Sequence, residues 1–225
     1  MFRKSVTRML LVALLAWSAG AAAVLDITIK GVEKALPIAI VPFGWEAPGA
    51  PPVDIAAIIA GDLSRSGRFA PMPFSDLVAM PTEFAAVNFR DWRLLGMENL
   101  VIGRLLPRPD GSFEIEFRLI DVFRARQLAG YRVPAQAQNL RYAAHQIADI
   151  IYEKLLGESG SFATRIAYVT VDDGPAGKVF RLQLADADGY GARTLVKSRE
   201  PLMSPAWSAD GKRIAYVSFE DRNSA

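Results

Sequence analysis

The chain has 225 residues, 51% of them hydrophobic, with 26 Lys plus Arg against 24 Asp plus Glu, a single His and no Cys. That length admits one or two domains with an ample core. The lack of Cys excludes disulfide frameworks, thiolate metal sites and thiol catalysis, and one His excludes a multi-histidine metal cluster within the chain.

The formal net charge of +2 would suit a polyanionic partner only if the bases were spread along the chain, and they gather at the front. Arg3, Lys4 and Arg8 precede the apolar run Met9 to Trp17, which leads into Ser18-Ala19-Gly20-Ala21-Ala22-Ala23. This pattern predicts an export leader over residues 1–23, cleaved after Ala21 or Ala23. The apolar run is shorter than the roughly 20 residues of a membrane-spanning helix, so an uncleaved anchor fits less well. Without the leader the chain holds 23 bases and 24 acids, a net charge of −1. No clustered Lys/Arg stripe with interleaved aromatics remains, which leaves nucleic-acid binding without support.

Val24-Leu25-Asp26-Ile27-Thr28-Ile29-Lys30 alternates through Thr28 and is rich in β-branched residues, predicting a strand or an extended arm. Leu36 to Val41 is a continuous apolar run, as expected for a strand covered on both faces. Pro42 to Pro52 is dense in Pro and Gly and reads as a loop. From Asp54, a plausible N-cap, Ile55, Ile58, Ile59 and Leu63 fall at helical spacing and Gly67 ends the segment. Asn88 is placed to cap a short helix carrying Phe89, Trp92 and Leu95, stopped by Gly96. Strands are predicted at Leu100–Leu106, at the alternating Phe113–Leu119 after an Asp110-Gly111 turn, and at Gln127–Val133. The clearest helix runs from Asn139 to Leu156, before Gly157. Helices on a mixed sheet thus fill the first part of the chain, an α/β domain assigned to residues 24–160.

Beyond Gly160 the helical period vanishes, and Thr164-Arg165-Ile166-Ala167-Tyr168-Val169-Thr170 recurs 48 residues later as Lys212-Arg213-Ile214-Ala215-Tyr216-Val217-Ser218. A β-only repeat of about 40–50 residues has the size of a propeller blade, and Asp188-Gly189 and Asp210-Gly211 read as its hairpin turns. A closed propeller takes four to eight blades, so residues 161–225, about one blade, are expected to be the start of a truncated or incomplete propeller. The alternative is a small sheet folded onto the first domain.

Several stretches together resemble the TolB family of the Tol–Pal envelope system of Gram-negative bacteria. They are Pro37 to Trp45, Asp54-Ile55 with Asp62-Leu63, Ser66-Gly67-Arg68-Phe69, Leu140 to His145, Thr164 to Val169, Asp188-Gly189-Tyr190 and Pro201 to Ser208. The resemblance runs in order from about Val24 to Ala225. It implies an N-terminal α/β domain followed by a six-bladed β-propeller, a periplasmic location and a non-enzymatic adaptor role without cofactors, supporting outer-membrane integrity and invagination during division. The implied partners are the TolA C-terminal domain, bound through the arm matching Val24, Leu25, Asp26, Ile27, Thr28, Ile29 and Lys30, and the lipoprotein Pal, bound by blades this chain lacks.

The competing readings of these residues are plainer. The arm could be a terminal strand paired within its own domain, or add to a partner's sheet edge. His145, with no second His or Cys to complete a metal site, reads as a packed or hydrogen-bonded residue. No G-x-S-x-G elbow accompanies the Ser, His and Asp residues, so catalytic serine chemistry has little support. Asp172-Asp173-Gly174 reads as a turn before a calcium loop. Trp45 suits a lid over the helix–sheet seam, and Trp207 and Tyr216 suit blade packing. The other functional class is an exported prolyl-oligopeptidase-type peptidase, whose propellers share the blade motif but which needs a hydrolase domain.

Overall fold

A computed structural model describes residues 34–175 and 177–220. The expected leader, residues 1–23, and the expected arm, Val24–Lys30, lie outside these residues. The described residues make one compact unit.

Strand β1 (Leu36–Ile40) is central because both of its faces are apolar. Ile38 and Ile40 join one core cluster, while Ala39 and the following Val41 join the other. It pairs in parallel with β3 (Phe69–Pro71) and with β4 (Asn99–Pro107). The Pro/Gly-rich loop is not wholly irregular, since β2 (Gly44–Trp45) pairs in parallel with Arg104 and Leu105 of β4. Helix α1 (Ile55–Arg65) starts where expected, with the Asp54 carboxylate accepting from the Ala57 N–H at 2.9 Å. Asn88 caps α2 (Phe89–Leu94) in the same way, accepting from Arg90.

From β4 the sheet continues as an antiparallel meander through β5 (Phe113–Asp121) and β6 (Arg126–Ala135), giving the order β3-β1-β4-β5-β6 with β2 also on β4. Gly103 permits this closeness, because a Cβ there would stand 2.4 Å from the Glu116 carbonyl and 2.5 Å from the Phe43 ring. Helix α3 (Leu140–Leu156) lies with α1 on one face. Ile59, Leu63, Ala144, Ile147 and Ile151 meet Val101, Ile115, Phe117 and Leu119 there. Trp92 of α2 anchors the smaller cluster on the opposite face with Leu100, Ile102, Ile120 and Val122. The outer edge of β6 is blunted by a register shift, by Pro134 and by exposed arginines, the usual protections of an open edge.

Gly157, at φ 76°, closes α3 in a left-handed conformation. The connection that follows is fastened back to the helix. Asp149 accepts from the Phe162 N–H at 2.7 Å and the Ala163 N–H at 3.0 Å, and Gly160 packs where any Cβ would collide with Asp149.

The remaining strands are antiparallel. β7 (Arg165–Gly174), β8 (Gly177–Asp186) and β9 (Arg193–Ser198) form one sheet, and β10 (Leu202–Trp207) and β11 (Ile214–Ser218) another. The two copies of the repeat fall on β7 and β11, and both Asp-Gly pairs turn with Gly at positive φ. Asp172, Asp173 and Gly174 extend β7, Asp172 pairing with Arg181 across the hairpin. The α/β domain followed by propeller-type sheets is therefore the observed architecture.

Candidate functional site

The buried ionisable groups converge where α1, α3 and the turn between β8 and β9 meet. Asp62 falls on α1 among Ile55, Ile59 and Leu63, on the helix's buried face, and is 0% exposed. A carboxylate placed there needs partners. It has two: the Arg65 guanidinium one turn along the helix, and Nδ1 of His145, 2.6 Å from Asp62 Oδ2. His145 projects from α3 and is 1% exposed, which agrees with a hydrogen-bonded packing histidine.

The other side of the site comes from the β8–β9 turn. Asp188 is bound by the Arg141 guanidinium of α3 and accepts from the Tyr190 N–H at 2.9 Å. Burial works to raise the Asp188 carboxyl, but the Tyr190 hydrogen bond and the charges of Arg141 and His145 outweigh it and hold it below the usual aspartate value. Arg141 also stacks on the Tyr190 ring, its guanidinium carbon 3.7 Å from the centroid. Two buried nitrogens, Arg141 Nε and His145 Nε2, lack hydrogen-bond partners; each faces a carboxylate oxygen at 3.8 Å, of Asp186 and Asp188 respectively.

Chemically this is a fastening rather than a reaction centre. His145, Asp186 and Asp188 bring ligand atoms within 4.8 Å of one another, but Arg141 already supplies their cation. Beside the junction a cleft of about 770 Å³ is lined by Tyr142, Arg165, Tyr190 and Trp207 among others. Trp207 is 36% exposed and lies 5.6 Å from the Arg165 guanidinium, so it does not fill a blade core here. Trp45 is half-buried against Phe113 and the larger cluster, with its indole N–H donating to the Gly49 carbonyl at 3.0 Å.

A second ionic group covers the outer face of β4 and β5. Arg104 bridges Glu83 at 2.9 Å and Glu116 at 2.6 Å, and Arg132 reaches Glu116 at 2.8 Å. The Arg104 hydrogen bond, opposed by burial and aided by the arginine charges, holds Glu116 below the usual glutamate value.

Of the residues singled out in the sequence, His145 lies at the junction, whereas the arm Val24–Lys30 is outside the described residues. Sequence reasoning missed Asp62, Arg141 and Asp188 as a group. Its one available signal was Asp62, an acid at an apolar position of a helix. Among the described residues no helix is long and apolar enough to cross a membrane.

Comparison with known proteins bears on both parts of the fold. Residues 23–128 match the model of the TolB amino-terminal domain, and residues 152–225 that of the TolB beta propeller domain. The chain is 53% identical to the Tol-Pal system protein TolB of Thioalkalivibrio sulfidiphilus over 91% of its own length and 48% of that protein. It is 50% identical to that of Nitrosococcus oceani over 95% of its length and 50% of that protein. The crystal structure of TolB from Acinetobacter baumannii superposes with a TM-score of 0.74 at 37% identity, over 86% of this chain and 46% of that one. The chain thus spans about half the length of the curated relatives it matches. With both parts of the arrangement matched in order and at this identity, the chain belongs to the TolB family.

Proposed function

We propose that this chain is the front half of a non-enzymatic periplasmic adaptor of the Tol–Pal system. It carries a removable leader over residues 1–23, an α/β domain over 24–160 and the opening of a propeller over 161–225. The observation that carries this reading is the match of the TolB amino-terminal and propeller models in succession along one chain. The chemistry agrees: the buried polar groups are paired into a fastening, and the family works by protein contacts. In this reading Val24–Lys30 is the arm that adds to the TolA C-terminal domain, supplying backbone donors and acceptors along an extended strand. Pal is the partner of the propeller once further blades complete it. Together the contacts support outer-membrane integrity and its invagination during cell division.

Binding of the leader-free chain to an isolated TolA C-terminal domain, measured by calorimetry, tests the arm. Deleting Val24–Lys30 abolishes binding if the arm is the contact. Undiminished binding after the deletion removes it from the proposal.

A further inference from the structure

The chain's single histidine sits between two carboxylates that belong to different parts of the fold. Its Nδ1 is 2.6 Å from Asp62 of α1. A carboxylate can only accept, so Nδ1 carries the proton, and in the neutral ring Nε2 presents a lone pair. That lone pair faces Asp188 Oδ2 at 3.8 Å, acceptor against acceptor, and Nε2 is buried without a hydrogen-bond partner. We propose that His145 is a proton-operated clamp: protonation at Nε2 creates a donor to Asp188 and tightens the junction between α3 and the β8–β9 turn. The proposal stands apart from the adaptor reading and needs no partner protein.

Charge balance argues the same way. Among the described residues, Asp62 of α1 and Asp188 of the β8–β9 turn face the ring, and the charged or titratable groups paired with them or beside them are Arg65 from α1, Arg141 from α3, and Asp186 and Tyr190 from the turn. At neutral pH, three carboxylates against two guanidiniums leave a formal surplus of one negative charge around a buried ring. A proton on His145 removes it, and both ring nitrogens then donate to carboxylates, charge-assisted bonds that offset the cost of placing a charge on a buried ring. The gap at Nε2 is about 1 Å longer than a charge-assisted hydrogen bond, a distance the turn can close by a small shift. Among the described residues, the side-chain ties of the β8–β9 turn to α3 are therefore those of Arg141 when the ring is neutral, and of Arg141 and His145 together when it is charged.

Because the chain has one His, its ring signals are unambiguous by NMR. On the whole chain, the ring nitrogens are followed from pH 8 to 5.5 alongside exchange of the Tyr190 amide, which donates to Asp188, corrected for intrinsic pH dependence. The expected result is Nδ1–H in the neutral ring and, as the ring takes up its second proton, about a tenfold rise in Tyr190 protection, the size of one charged hydrogen bond. Amides of β4 and β5 keep their protection unchanged. Asp188→Asn and His145→Gln each flatten the Tyr190 response; if His145→Gln does not fold, Asp188→Asn alone carries the comparison. A proton on Nε2 in the neutral ring, a ring that stays neutral throughout, an equal rise in β4 and β5, or an undiminished response in Asp188→Asn overturns the clamp.

Discussion

The α/β region and the β-only region bury their residues very differently. In the first, a sheet is covered on both faces, and side chains as large as Trp92, Phe117 and Leu100 are almost wholly removed from water. In the second, the buried apolar side chains among the described residues are Leu182, Leu184, Ala185 and Leu202. Fully burying one large apolar side chain stabilises by about 1.5–3 kcal/mol, so the first region carries most of the folding free energy. The second leans on its neighbour, through the Asp149 fastening and the ionic junction around His145 and Arg141.

The sharpest way to break this contrast is to attack each core separately. Trp92→Ala empties the centre of the smaller α/β cluster and should cost about 3–5 kcal/mol. Denaturant unfolding followed by hydrogen exchange should show protection falling in every strand, because the β-only sheets do not stand without their support. Leu182→Ala removes the main buried contact of β8 and should cost about 2–3 kcal/mol, at the low end because a thin layer relaxes easily. Here protection should fall in β7, β8 and β9 and persist in β1, β4 and β5. Equal losses in both regions would show that they unfold as one.

The difference between the regions also decided what was legible in the sequence. Where burial dictated the pattern, residues and structure agree: the two-faced run of β1, the alternation of β5, the caps at Asp54 and Asn88, and the Gly157 stop all appear as expected. Within the α/β region the strands that were missed, β2 and β3, are two and three residues long and held by pairing to β4 and β1, which leaves no periodic trace. Asn139, expected as the first residue of α3, instead lies just before it in a tight turn and makes no side-chain cap bond. The buried junction was legible only at His145 and, in principle, Asp62. Arg141 and Asp188 are ordinary surface types until the β8–β9 turn lands on α3, and a long-range placement of that kind has no local signature.

A smaller effect separates the helices of the first region. Asp54→Ala removes a real cap bond and should cost about 1 kcal/mol. Asn139→Ala removes none and should stay within about 0.5 kcal/mol by the same denaturant measurement. A comparable loss at both positions would mean that the tight turn before α3 depends on Asn139 in some other way.

Acid provides the finest test, because each region has a carboxylate held below its ordinary value within an ionic group, Glu116 on the outer face of the sheet and Asp188 at the junction; Asp110 and Asp121 in the first region and Asp210 in the second are held low as well. A depressed carboxylate contributes stability that is fully present above its unfolded-state value, about 4.3 for Glu and 3.9 for Asp, and is lost as pH falls through the lower folded-state value. Both regions should therefore weaken below about pH 4. The junction has an opposing term at higher pH, since protonation of His145 strengthens it. Tyr190 protection should accordingly rise as the His145 ring gains its proton and fall again below about pH 4, while β5 amides stay level before falling. Glu116→Gln should lessen the acid loss in β5 and leave the Tyr190 profile intact, and Asp188→Asn should do the reverse. Profiles that move together in both variants would place the acid sensitivity in the unfolding of the whole chain, and the distinction between a self-sufficient region and a fastened one would fail.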